Sequence, residues 1–182
     1  MKKAQDIEHS GLDLAVIPRQ WLHKGMNKIS LLACKLPSLP SQFGLLVPNL
    51  TTLLLPHNCL SELPPTLGLL DKLIDLGLTT NHFKVFPEVI CDLTSLESLS
   101  LHNNQITKVP AAISCCHSLN ALYLTNNPIE RLPLTIGLLK RLSTLSFDRT
   151  PRHPSQPQVD HSLPEWALDA SAYVIRDHYQ LL

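Results

Sequence analysis

Leucines at positions 50, 73, 96, 119 and 142 stand 23 residues apart, and each opens the same order of apolar and polar positions. That order is Leu-x-x-Leu-x-Leu-x-x-Asn, usually closed by a hydrophobic residue and proline. It reads Leu50, Leu53, Leu55, Asn58, Leu60 and Leu63-Pro64, then Leu73, Leu76, Leu78, Asn81, Phe83 and Phe86-Pro87. It continues as Leu96, Leu99, Leu101, Asn104, Ile106 and Val109-Pro110, then Leu119, Leu122, Leu124, Asn127, Ile129 and Leu132-Pro133. A fifth copy begins at Leu142, Leu145 and Phe147, with Thr150 in the asparagine slot. A strict period of this length marks a solenoid, in which no single copy can bury its apolar side alone.

Each copy carries two periodicities. The Leu-x-Leu segment alternates with period 2, as a strand with one buried face does. These strands are expected to stack in parallel and to line the concave side of a horseshoe arc. The asparagine that follows turns the chain, and its amide is predicted to bond backbone groups of adjacent coils, because a buried amide is tolerated only when its partners are fixed. The second half, Leu-Pro-x-x-Ile-x-x-Leu, has apolar residues three apart. That spacing predicts a short helix or 3-10 turn on the convex side, with proline acceptable in its first turn. Gly68 and Gly137 sit just before the convex leucines, where they are expected to serve a tight turn. The fold class is an α/β solenoid.

The pattern degenerates toward both ends. Met26, Ile29, Leu31, Cys34, Leu36, Leu39-Pro40, Phe43 and Leu46 fill the same slots, with one extra residue before Leu50 and Cys34 in the asparagine slot. Leu12, Leu14, Ile17-Pro18 and Trp21 read as the back half of a still earlier coil. Residues 1–25 are therefore an N-terminal cap with a frayed polar start, and residues 26–150 are the repeats. Pro151, Pro154 and Pro157 place a loop at 151–162. From 163 to 182 the apolar residues Leu168, Ala172, Ile175, Tyr179 and Leu182 are spaced 4, 3, 4 and 3 apart, one face of an amphipathic helix. A solenoid has to close its open apolar end, and this C-terminal capping helix is the expected lid.

Composition narrows the function classes. Hydrophobic content is 44% and aromatic content 5%, so the core is aliphatic. Lys plus Arg equals Asp plus Glu at 15 each, which leaves no basic excess to attract nucleic acid. No apolar stretch approaches the length of a membrane span. The start, Met1-Lys2-Lys3-Ala4-Gln5-Asp6, has no apolar run of a signal peptide. The five cysteines, Cys34, Cys59, Cys91, Cys115 and Cys116, all lie within repeats, and their number is odd. Together these features predict a reduced, cytoplasmic protein.

The convex segments Leu63-Pro64-Pro65-Thr66-Leu67-Gly68-Leu69-Leu70 and Leu132-Pro133-Leu134-Thr135-Ile136-Gly137-Leu138-Leu139 resemble the intracellular leucine-rich repeats of the Ras-group type. The tail from Leu163 to Leu182 also looks like the helix that closes such arrays. The resemblance covers residues 12–182. It implies a protein–protein recognition role, often in small-GTPase or phosphatase signalling.

On the strands, the residues between the leucines point outward and align as columns across coils. One column reads Leu54, Gly77, Ser100, Tyr123 and Ser146; another reads Pro56, Thr79, His102, Thr125 and Asp148. The face is small and polar, with Tyr123 as its one aromatic residue. Tyrosine and arginine are enriched at interface hot spots. The candidate partner-binding residues are Asp75, Glu97, His102, Tyr123, Asn126, Asp148 and Arg149. Cys115 beside Cys116 and His117 suggests thiol chemistry, but Cys116 falls in the core slot of Leu70, Leu93 and Leu139. His153 and His161 lack the convergent ligands that a metal requires. There is no phosphate-binding loop and no nucleophile elbow, so no cofactor and no small-molecule substrate is expected. The reading is a non-enzymatic adaptor or scaffold that binds another protein. The alternative is a regulatory subunit of a phosphatase, small-GTPase or ubiquitin-ligase complex.

Overall fold

The computed structural model describes residues 6–148, which form one stack of parallel coils. The strands are β1 (Ile7–Ser10), β2 (Lys28–Leu32), β3 (Thr52–Leu54), β4 (Asp75–Gly77), β5 (Ser98–Ser100), β6 (Ala121–Tyr123) and β7 (Thr144–Ser146). They lie in one sheet in sequence order, and every neighbouring pair is parallel. The register follows the 23-residue period: Leu53, Leu76, Leu99, Leu122 and Leu145 are successive partners. Between β2 and β3 the partner of Ile29 is Leu53, one residue beyond that period. This is the extra residue before Leu50.

The second half of each coil winds as a 3-10 turn, at Pro65–Leu69, Glu88–Asp92, Ala111–Cys115 and Leu134–Leu138. Each is entered through an extended proline, namely Pro64, Pro87, Pro110 and Pro133. Proline fixes φ and has no N–H to lose, so it suits the entry to a turn. The central residues Leu67, Ile90, Ile113 and Ile136 are buried, and each such side chain contributes about 2 kcal/mol of apolar transfer free energy. The coil that carries the extra residue uses an α turn instead, α1 (Phe43–Leu46), with Phe43 fully buried.

Two glycines mark where coils touch. A Cβ on Gly44 would stand 1.8 Å from the carbonyl oxygen of Thr66 in the next coil, so no larger residue fits. A Cβ on Gly68 would come 2.9 Å from Asp92 Oδ2. The glycine lies within the 3-10 turn, as expected, and the neighbouring coil crowds it from outside.

The asparagine turns form the expected ladder. Asn58 Oδ1 accepts from the amides of Cys34 (3.0 Å) and Leu36 (3.1 Å), and its Nδ2 donates to the Leu31 carbonyl (2.8 Å). Asn81, Asn104 and Asn127 Oδ1 accept from Leu60, Phe83 and Ile106, and their Nδ2 atoms donate to Leu55, Leu78 and Leu101. All four are buried. Among the described residues, no buried side-chain nitrogen or oxygen lacks a partner. Cys34 fills the same slot as a small buried thiol, whose Sγ lies 3.4 Å from the Leu32 carbonyl oxygen.

Within residues 1–25, Ile7–Ser10 supply a strand, and residues 1–5 of the polar start lie outside the described residues. β1 pairs along β2 from Ile7–Ile29 to Ser10–Leu32, and the Asp6 carboxylate accepts from the Lys28 amide at 3.0 Å. Ile17 is buried, and Leu12, Leu14 and Trp21 pack against the core. Arg149, Thr150, the 151–162 loop and the 163–182 capping helix lie outside the described residues. Among the described residues, no helix is long and apolar enough to cross a membrane.

Candidate functional site

Strand alternation turns one row of leucines inward and leaves the residues between them on the opposite side of the sheet. The strand register puts Ser100, Tyr123 and Ser146 side by side across β5, β6 and β7. Tyr123 is half-buried between these two serines, so its ring is the largest body in its row. One strand away and two residues along is His102, where an aromatic side chain reaches its diagonal neighbour. His102 Nδ1 lies 3.4 Å from Thr79 Oγ1. Partial burial, with a smaller contribution from His57, holds this imidazole below its ordinary range. That shift favours the uncharged form of the imidazole.

The candidate residues divide in two. Asn126 and Asp148 serve the coil itself. Asn126 Nδ2 donates to Asn103 Oδ1 at 2.7 Å, and its backbone amide donates to the Asp148 carboxylate. In the three preceding coils the equivalent amides of His57, Thr80 and Asn103 donate to backbone carbonyls of Thr79, His102 and Thr125. Asp148 thus replaces a main-chain acceptor with a side chain. Asp75 and Glu97 stand apart from this pair: Asp75 lies between Thr52 and Ser98, and Glu97 is exposed. Arg149 lies outside the described residues.

Backbone strain in this region has no signature in the sequence pattern. His57, Thr80, Asn103 and Asn126, the residues just before the ladder asparagines, have φ of 55°, 53°, 56° and 56°. Asparagine tolerates this left-handed region; a β-branched threonine is a genuine outlier. A second feature concerns the N-terminal half of the face. Leu54 lies across Gly77, where an added Cβ would meet Leu54 Cδ2 at 2.9 Å. That half also exposes Leu32 and Ile74, whereas the row around Tyr123 is small and polar. Reading the columns for side-chain size would have located the Leu54–Gly77 contact.

The thiols do not assemble with His117. Cys115 and His117 are exposed, while Cys116 is buried with its Sγ 3.4 Å from the Ile90 carbonyl oxygen. Burial, with smaller contributions from nearby Cys91 and Cys115, pushes the Cys116 thiol up to about 12. Burial likewise pushes Cys91 up to about 11. A thiol is a nucleophile only as thiolate, so both are core groups at neutral pH. All five cysteines are free.

Comparison with known proteins places these coils. Residues 48–106 and 71–129 each match the family model described as leucine rich repeat. A solved leucine-rich repeat protein of Leptospira interrogans is 30% identical over 76% of this chain, with a TM-score of 0.59. The ectodomain of the Arabidopsis thaliana membrane receptor kinase GASSHO1/SCHENGEN3, solved in complex with CASPARIAN STRIP INTEGRITY FACTOR 2, is 29% identical over 78% of this chain, with a TM-score of 0.57. The chain spans 43% and 17% of the lengths of these two proteins. None of the curated proteins matches it in sequence. One relative being a receptor ectodomain, the fold itself carries no information on compartment.

Proposed function

We propose that this leucine-rich repeat protein is a non-enzymatic intracellular adaptor that captures another protein on the exposed face of its sheet, around Tyr123. Leucine-rich repeat domains generally mediate protein–protein interaction, and a solenoid offers a continuous surface rather than a pocket. The observation that carries the reading is the row Ser100–Tyr123–Ser146: a half-buried aromatic side chain held between two small residues on a sheet. An aromatic with apolar area and a polar tip is the usual anchor of an interface. His102, one strand away and two residues along, with its uncharged form favoured, adds a hydrogen-bonding group. Asp75 and Glu97 extend the same face toward the N-terminus, and Asp148 and Asn126 hold its C-terminal border in place. Residue Arg149 belongs to this proposed surface by its column. The intracellular part of the reading is supported by five free thiols, three of them buried.

The test is quantitative affinity capture from cell extract with wild-type protein, Tyr123→Ala and Glu130→Ala, the last a change of an exposed residue on the other half of the coil. Tyr123→Ala is expected to weaken capture by about 2 kcal/mol or more. Glu130→Ala should leave it unchanged. Capture retained by Tyr123→Ala and lost by Glu130→Ala would move the binding surface away from the sheet.

A further inference from the structure

One coil reverses the surface pattern of its neighbours on the side away from the strands. The slot before each Leu-Pro pair holds Glu62, Lys108 and Arg131 in three coils and Val85 in the fourth. Charge is the ordinary choice there, because the side chain stands in water. Val85 is 75% exposed, the most exposed large hydrophobic among the described residues. In the same coil two slots that are apolar elsewhere carry acids. Glu88 takes the place of Pro65, Ala111 and Leu134, and Asp92 that of Leu69, Cys115 and Leu138. The apolar and charged positions of this one turn are exchanged.

The exchange coincides with a concavity. A groove of about 580 Å³ runs between this coil and the preceding one, walled by Val85, Val89 and Cys91 and edged by Glu62, Glu88 and Asp92. Three carboxylates and no lysine or arginine line it. Burial keeps the Cys91 thiol protonated, so that wall is apolar at neutral pH. At one edge the exposed Asp92 carboxylate lies close over Gly68 of the preceding coil, where a Cβ would approach it to 2.9 Å.

We infer that this groove is a second docking site, and that its occupant is a short extended segment of a partner protein in which an aliphatic side chain is flanked by lysines or arginines. The aliphatic group covers Val85 and enters between the coils. The flanking cations meet Glu62 on one side and Glu88 and Asp92 on the other. Exposed ion pairs contribute little individually and are screened by salt, so the apolar contact sets the position and the charges set the choice of partner. The site lies off the sheet face, and its success or failure is independent of the Tyr123 reading.

The experiment uses fluorescence anisotropy with the full chain and a labelled, acetylated and amidated pentapeptide, Arg-Lys-Leu-Lys-Arg. Saturable binding is expected below roughly 1 mM peptide at low salt. Glu88→Lys combined with Asp92→Lys should weaken it about tenfold. Val85→Lys, which restores the charge that Lys108 supplies in the next coil, should also weaken it, and so should replacement of the peptide's leucine by glycine. Glu130→Lys, an acid outside the groove, should leave it unchanged. All these positions are exposed, and unaltered circular dichroism checks that each variant folds. Absence of saturable binding overturns the proposal. So does equal binding of the leucine and glycine peptides, or equal loss in Glu130→Lys and the double variant, since either means attraction by net charge alone.

Discussion

The two halves of each coil obey different rules. At the asparagine turns, Asn58, Asn81, Asn104 and Asn127 accept from the equivalent amides of Leu36, Leu60, Phe83 and Ile106 in the preceding coil, at nearly the same lengths. At the 3-10 turns the backbone repeats as well, yet the exposed slot just before each holds glutamate, valine, lysine and arginine in turn. The backbone closes its own bonds at the 3-10 turn, as when Leu70, Leu93, Cys116 and Leu139 donate to carbonyls three residues back. At the asparagine turn it does not, and a side chain must complete it. Where a side chain finishes the main chain's hydrogen bonding, its identity is fixed; where it does not, surface chemistry is free to differ from coil to coil.

The sharpest attack on this contrast is Asn104→Ala. It removes the acceptor of the buried Phe83 amide and the donor to the Leu78 carbonyl. The loss is expected to be about 1–3 kcal/mol in denaturant unfolding, from stranded buried backbone groups. Cys34→Ala, in the same slot but with only a weak thiol contact to the His9 carbonyl of the preceding coil at 3.9 Å, should cost less. Equal costs would mean that the asparagines act by filling space alone. The next largest effect is on binding: Tyr123→Ala should reduce partner capture by about 2 kcal/mol while leaving the unfolding midpoint in place. A shifted midpoint would make Tyr123 a structural residue and blur the division between slots.

A smaller change sharpens the comparison by improving one coil. Thr80 holds φ of 53°, where its equivalents Asn103 and Asn126 are better suited. Thr80→Asn should raise stability by about 1 kcal/mol, the usual cost of the left-handed region for an ordinary residue. A lower midpoint would show that the threonine side chain has a contact worth more than the strain. The smallest effect concerns the thiols. Cys91 and Cys116 have folded values of about 11 and about 12, above the ordinary 9.0. The unfolded chain releases these protons first as pH rises, so stability is flat below about pH 9 and falls between there and the folded values. At pH 8, Cys59 and Cys115 should alkylate in the native protein and Cys91 and Cys116 only after unfolding. Rapid native labelling of Cys116 would show that its coil opens.

The sequence carried the core far better than the surface. The spacing of Leu53, Leu76, Leu99, Leu122 and Leu145 set the register between β3 and β7, because a repeat of constant length leaves one way to align its strands. The first strand was not legible. Glu8, His9 and Ser10 are exposed, so Ile7–Ser10 shows no alternation to read. The candidate site was legible as a set of columns but not as a set of roles. Nothing in the letters distinguishes Asn126 and Asp148, which bond each other, from Glu97, which is exposed. That distinction depends on which backbone acceptor is missing, and it appears only once the coils are stacked.

The asparagine ladder also has a direction. Each amide reaches back to a group 21 residues earlier, as Asn81 does for Leu60, Asn104 for Phe83 and Asn127 for Ile106. A chain made from its N-terminus therefore completes each coil late. Leu60 emerges with an amide that stays hydrated, and it is sealed from water only when Asn81 has left the ribosome. Growth of this molecule resembles bricklaying in which every course is mortared by the next. A nascent chain that has emerged only as far as the residue before an asparagine leaves one coil open, and one that has emerged past it can close that coil.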